Sequence, residues 1–312
     1  RTAMATLRES ATDTFTVGAY KMASLFAQLT PGPLAYASAR LIGYTASASL
    51  QSRRSIIERH IRRVRPDLDK RQLRAAVQDS FDSYARYYVE SFRLPNLPRE
   101  VVDNSFTLDG FERVIEGLGK GKGVILALPH LGGWEWAGRW LADQKYKATV
   151  VVEPLQPPEL FEWFTNLRTN LGMNVVPLGE GVAADILSAL RDNHIVCLLC
   201  DRDLKGDGLP VEFFGETTTL PGGPVTLAIR SGAPLITAAV YFTDRYNGHH
   251  AIVRPPIDLT RTGRLRDDVA AGTQKLATEL ESLIRRAPEQ WHMFQPNWPS
   301  DPGYAEMRAG NS

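Results

Sequence analysis

Past Pro98 the chain settles into a pattern that few folds can accommodate. Five short runs follow one another: Gly123–Leu128, Ala148–Val152, Asn174–Leu178, Ile195–Cys200 and Leu235–Phe242. Each is apolar almost throughout. They are too short for helices, and stretches with helical periodicity separate them. A strand that is apolar on both sides has to be covered on both sides, which parallel strands joined by crossover helices achieve. The predicted fold is α/β, with a mostly parallel central sheet covered by helices on both faces. Ligands of such sheets bind beyond the carboxyl ends of the strands, so the chemistry is sought there.

Residues 1–98 read as an N-terminal helical, membrane-associating region packed on the α/β core of residues 99–312, the two forming one continuous domain. Phe15, Ala19, Met22 and Phe26 form one helical stripe, and Pro31 and Pro33 interrupt the pattern before a second helix from Leu34 to Leu50. Between Arg53 and Arg65, Ile57, Ile61 and Val64 make an apolar line beneath a crown of arginines. That pattern fits a helix lying on anionic lipid. It fits equally a helix packed on the domain with a solvated basic face. A long amphipathic helix is predicted from Lys70 to Arg93, with Leu94–Pro98 as a joint after it. No stretch approaches the roughly 20 apolar residues that span a bilayer, and no charged start leads into an apolar run with a cleavage site. The expected location is peripheral, at the cytoplasmic face of the cell membrane.

A formal net charge of +1 over 312 residues argues against nucleic acid as a partner, so any interest in phosphate must be local. Cys197 and Cys200 lie in one predicted strand, on opposite faces of it. They read as core thiols, not as a redox pair or a disulfide.

The strand Val124–Leu128 runs out into Pro129-His130-Leu131-Gly132-Gly133-Trp134-Glu135. His130 is thus placed at a strand end, followed by glycines that permit a tight turn and by a helix carrying Glu135. The turn is expected to bring Glu135 back to one ring nitrogen of His130, leaving the other to take a proton. No Ser, Cys or Thr lies between Ala127 and Ala142, and no G-x-S-x-G elbow occurs. A base without a nucleophile points to direct transfer, with Gly133 as a substrate contact and backbone N–H groups at the helix start after it serving the oxyanion. The spacing of His130 and Glu135 matches no zincin pattern, so no metal is expected.

His130-Leu-Gly-Gly-Trp-Glu135 resembles the H-x4-D/E signature of the lysophospholipid acyltransferase superfamily, in its bacterial lipid A acyltransferase-like branch. Further blocks agree in order: Val152–Leu155, Cys200–Leu204, Val211–Glu216 and Leu220–Pro224. Ser83–Tyr87 and Trp291–Pro296 are closer to actinobacterial phosphatidylinositol mannoside acyltransferases. The resemblance implies His130 as general base and Glu135 as its partner acid. The second acid, a glutamate in the mannoside enzymes, falls on Asp201, while the family's usual aspartate falls on Glu135; both acids have exchanged length. The resemblance further implies substrate contacts. Glu153 is placed for acceptor hydroxyls or for a nearby arginine, Arg168 for donor thioester or phosphate groups, and Arg230 for coenzyme A phosphates. Arg202 joins them as a substrate contact or, with Asp203, as an ion pair closing the loop. The implied reaction moves a long acyl chain from acyl-CoA, a co-substrate with no further cofactor, to a glycolipid hydroxyl at an anionic membrane surface. The alternatives are a lipid A-type enzyme using acyl carrier protein and a catalytically silent lipid-binding protein. His194 and His292 read as structural, His249 and His250 as loop or edge-strand residues. Trp134, Trp136, Trp140 and Trp163 are assigned to core or to the wall of an apolar channel.

Overall fold

All five predicted strands form, and four further strands accompany them. In the computed structural model, which describes residue 18, residues 21–153 and residues 157–310, nine strands are found. They are β1 Phe106–Asp109, β2 Val124–Leu128, β3 Ala148–Val152, β4 Asn174–Pro177, β5 Ile195–Leu199, β6 Leu209–Phe213, β7 Glu216–Leu220, β8 Leu235–Phe242 and β9 His249–Pro256. Phe15 and Ala19 of the predicted stripe, and Pro154 and Leu155 of one resemblance block, lie outside the described residues.

Seven strands make one sheet in the order β1-β9-β8-β2-β5-β3-β4, and β6 and β7 form a separate hairpin. Every neighbouring pair in the large sheet is parallel except β8 and β9. The fold is therefore the expected mostly parallel α/β arrangement. β9 lies inside the sheet because β1 adds beyond it, which corrects the placement of His249 and His250 in a loop or edge strand. The hairpin turn is Phe214-Gly215, both at positive φ, and it lacks the Asn-Gly pair that would announce it.

β2 is buried from end to end. Ile125 and Ala127 enter the core on one face of the sheet; Val124, Leu126 and Leu128 enter the core on the other. Cys200 and Cys197 divide between the same two layers, as strand periodicity requires. Both are free thiols, and burial pushes the Cys197 thiol up to about 12.

The helix Lys70–Arg93 starts at a capping box in which Asp69 accepts from Arg71 and Gln72 backbone N–H groups and Gln72 reaches back to Asp69. Its Leu73, Val77 and Phe81 bury against Ile57 and Ile61, each contact residue contributing about 1.5–3 kcal/mol of hydrophobic stabilisation. The helix Gln51–Val64 accordingly turns its apolar line into the protein, while Arg59 and Arg63 reach Asp301. Of the two readings of that segment, the packed one holds. Exposed apolar side chains gather earlier, on residues 22–50, where Leu29, Leu34 and Leu41 are 76%, 63% and 65% exposed. Among the described residues no helix is long and apolar enough to cross a membrane.

Candidate active site

The end of β2 is held open by a tight turn. Gly132 has φ +60°, and a side chain there would meet the Val240 carbonyl, so only glycine fits. The turn is stitched to both neighbours: Gly132 N–H donates to Gln290 O at 3.0 Å, and Gly133 N–H donates to Val240 O at 3.0 Å. This corrects the assignment of Gly133 as a ligand contact, since its N–H is already used. The helix Trp134–Asp143 that follows has no side-chain cap, and Trp136 N–H turns back to Gly133 O at 3.0 Å, so the N–H groups of Trp134 and Glu135 are the ones left for an anion.

His130 is paired with Asp201, and Glu135 is not its partner. His130 Nδ1 donates to Asp201 Oδ1 at 2.6 Å, and the His130 backbone N–H donates to Oδ2 at 2.9 Å. Trp291 Nε1–H adds a third bond to Oδ2 at 2.7 Å. Asp201 is fully buried. Burial pushes its carboxyl up, but the charge and hydrogen bonds of His130, with the Trp291 indole, outweigh this and hold it below its ordinary range. An ionised Asp201 accepts only, so the network assigns the proton of the neutral ring to Nδ1 and leaves the lone pair on Nε2.

Glu135, also buried, is taken by other partners. Arg168 Nε donates to its two oxygens at 3.0 and 3.2 Å, Arg168 Nη2 to Oε1 at 2.5 Å, and Tyr87 OH to Oε1 at 3.1 Å. Burial lowers the Arg168 pKa, but the charges and hydrogen bonds of Glu135 and Tyr87 together outweigh this and raise it. Arg168 is thus the counter-ion of Glu135, where the sequence had assigned it to donor groups. The five-residue spacing was misread because the helix starts at Trp134 and carries Glu135 towards the helix Pro158–Asn170.

Two cavities meet at His130, one on each face of the sheet. The first, about 310 Å³, is lined by Leu108, Ala251, Ala238, Leu126, Cys197 and Val150, one from each of six consecutive strands, and also by Trp134, Trp140, Glu135 and Arg168. Six strands give five spacings of about 4.8 Å, a slot roughly 24 Å across the sheet. The second, about 510 Å³, has apolar walls from Ile186, Leu187, Leu227 and Val269 and carries Arg202, Lys205 and Arg230. Val151, Glu153, Leu199 and Arg202 border both cavities.

Arg202 Nη2 pairs with Glu153 Oε2 at 2.7 Å on this shared rim. Asp203 is not the partner of Arg202, which corrects the proposed pair within the loop. It accepts from Arg308 Nη2 at 2.7 Å and from the Gly206 and Gly208 backbone N–H groups. Among the described residues no cluster of three or more His, Cys, Asp or Glu is arranged to hold a metal ion.

His194 bonds Thr149 and stays peripheral to the site. His292, assigned a structural role, lines the first cavity; burial and the neighbouring His130 push its pKa down to about 3, so it is neutral. Trp136 is core, and Trp134 and Trp140 wall the first cavity, as expected of them. Trp163, the fourth, packs edge-on against Phe92 and Phe164. Sequence reasoning missed Trp291, Tyr87 and Arg308. Their partners lie 90, 48 and 105 residues away, beyond any local pattern. Only the resemblance blocks containing Tyr87 and Trp291 drew attention to their neighbourhoods.

Residues 7–300 match the bacterial lipid A biosynthesis acyltransferase family. The chain belongs to that family. As a member, it is similar to a phosphatidylinositol mannoside acyltransferase of Mycobacterium tuberculosis, with 40% identity over 237 residues, 73% of either chain. The enzyme of the same name from Mycolicibacterium smegmatis is 39% identical over 228 residues, 72% of this chain and 73% of its own. A lipid A biosynthesis acyltransferase of Haemophilus influenzae is 28% identical over 188 residues, 58% of this chain and 55% of its own.

Proposed function

We propose that this family member is an O-acyltransferase that moves a long acyl chain from acyl-CoA to a hydroxyl of a glycolipid such as a phosphatidylinositol mannoside, with His130 as general base. The observation that carries the reading is His130 at the junction of two cavities, its Nδ1 fixed by a buried carboxylate and its Nε2 left with the lone pair. Nε2 takes the proton of the acceptor hydroxyl as its oxygen attacks the thioester carbonyl. The carbonyl electrons move to oxygen, and the N–H groups at the start of the helix Trp134–Asp143 stabilise the oxyanion. Collapse breaks the C–S bond, and the imidazolium returns the proton to the departing thiolate. Glu153, beside Arg202 on the shared rim, is placed to accept from acceptor hydroxyls. Cys197 borders the first cavity, but its raised pKa keeps it a thiol, which supports direct transfer over an acyl-enzyme.

The apolar slot across six strands suits a long hydrocarbon chain. Lys205 and Arg230 of the second cavity suit the phosphates of coenzyme A, which supports that donor over a carrier protein, while Arg202 is held by Glu153. The two mannoside enzymes among the relatives support the acceptor class. The exposed apolar side chains of residues 22–50 support attachment to the face of a membrane, and we place the protein on the cytoplasmic side. The test is thiol release from palmitoyl-CoA, with and without a mycobacterial glycolipid extract, and products read by mass. Acceptor-dependent release with the gain of one acyl group is expected. Release without acceptor would make the protein a thioesterase, and transfer only from acyl carrier protein would overturn the donor.

A further inference from the structure

A fully buried carboxylate is costly unless its lone pairs are met by donors. Asp201 meets three, and two come from His130 itself, the residue it orients. The third comes from a distant segment. Trp291 Nε1–H reaches Oδ2 at 2.7 Å, and the segment that carries it is tied to the catalytic turn strand-fashion. Leu131 and Trp291 form an antiparallel bridge, Gly132 N–H donates to Gln290 O at 3.0 Å, and His292 N–H donates to His130 O at 2.7 Å. Six residues on, Asn297 Nδ2 donates to the Asp201 carbonyl at 3.1 Å. The Trp291 ring is wedged among Phe213, Phe214, Trp298 and His60, with centroids 5.6–6.1 Å away. The indole is therefore held by contacts independent of Asp201.

We infer that Trp291 is a positioning residue of the reaction: its indole N–H occupies Asp201 Oδ2, leaving Oδ1 to hold His130 Nδ1 and so aiming Nε2 at the junction of the cavities. The inference rests on His130 acting as the base. Without the indole donor, the carboxylate keeps only bonds to a flexible imidazole and its own backbone, and rotation about its Cβ–Cγ bond opens poses in which Nδ1 is lost. The titratable groups that face Asp201 are His130, His292 and the Cys200 thiol. His292 is neutral and the thiol is raised by burial, so neither offers a cation to replace the missing bond.

Trp291→Phe keeps an aromatic ring, a smaller one, and removes the donor. The expected result is a fall in kcat of about tenfold or more, the range for a hydrogen bond to a charged group, with KM for the donor nearly unchanged. The acid limb of the kcat/KM profile is expected at higher pH, because the less stabilised carboxylate and the imidazole coupled to it hold their protons more tightly. Placed in an Asp201→Asn background, Trp291→Phe is expected to add almost nothing, as two residues acting through one contact do. Unchanged kcat and pH profile in Trp291→Phe would overturn the inference, as would a loss that adds in full to that of Asp201→Asn, the mark of packing alone. An independent reading that needs no Trp291 variant is the indole N–H region of the proton NMR spectrum. Of the six tryptophans, Trp140 and Trp291 donate their indole N–H to carboxylates, Asp103 and Asp201, and one of these downfield signals is expected to move upfield in Asp201→Asn while the other stays; six unmoved signals would contradict the contact. Should His130→Ala keep the wild-type rate, the reading of the site fails. A His130-dependent enzyme indifferent to Trp291→Phe leaves that reading intact and removes only this inference.

Discussion

Asp201 and Glu135 are buried acids on either side of the turn that carries His130, yet their surroundings differ in kind. Asp201 is bonded to an imidazole, an indole and a backbone amide; Glu135 is bonded to a guanidinium and a phenol. An imidazole can gain and lose a proton near neutrality, so the first acid is coupled to proton transfer. A guanidinium keeps its charge at every working pH, so the second acid forms a fixed ion pair that ties the helix Trp134–Asp143 to the helix Pro158–Asn170. The contrast separates the two roles that a pair of acids near one histidine can play. It also makes the short H-x4-E spacing a poor guide to which acid serves the base.

The sharpest way to break this contrast is to neutralise each acid in turn. Asp201→Asn is expected to lower kcat by about 10²–10⁴-fold, because an amide can stabilise neither the Nδ1–H tautomer nor the imidazolium, the loss seen when a histidine's orienting aspartate is so replaced. Glu135→Gln is expected to show a different profile. Leaving Arg168 buried without its counter-charge costs about 3 kcal/mol, read as a lower midpoint in denaturant, with kcat falling far less than in Asp201→Asn. Equal kcat losses in the two variants would erase the distinction. A smaller effect is expected from Ala251→Phe, which fills the first cavity away from His130 and leaves both acids alone. The preferred acyl donor is expected to shift by several carbons towards shorter chains, with a rate loss of about tenfold for the longest, on the scale by which pockets discriminate methylenes. An unchanged chain-length profile would mean that the acyl group lies elsewhere.

Four of the five strands that the sequence revealed, β2, β3, β5 and β8, are covered on both faces, so a continuous apolar run marks them without any tertiary knowledge. The fifth, β4, is an edge strand in which only Val176 is buried, and its Val175-Val176 pair sufficed. β1 and β9 are buried on one side only and carry Thr107, His250 and Arg254 between their apolar residues, so no run appears. The location of the site was legible from His130 at the end of β2 and from the glycines after it. Its wiring was not. Whether His130 meets Glu135 or Asp201 depends on β5 lying beside β2, in register from Val124 with Ile195 to Leu128 with Leu199, which brings Asp201 level with His130 across the strand ends. The helix Gln51–Val64 teaches the same lesson in reverse. Two of its arginines, Arg59 and Arg63, suited lipid until Asp301, 242 residues from Arg59, appeared as their partner.

The central claim is that His130 is the base of a direct acyl transfer. The measurement that tests it most directly is the single-turnover transfer of a palmitoyl group from coenzyme A to glycolipid by wild-type and His130→Ala protein, with donor binding measured in parallel. A rate lower by about 10²–10⁴-fold in the variant, with donor affinity retained, is the expected result. A variant that transfers at the wild-type rate, or one in which an acylated protein accumulates before the glycolipid product, would contradict it.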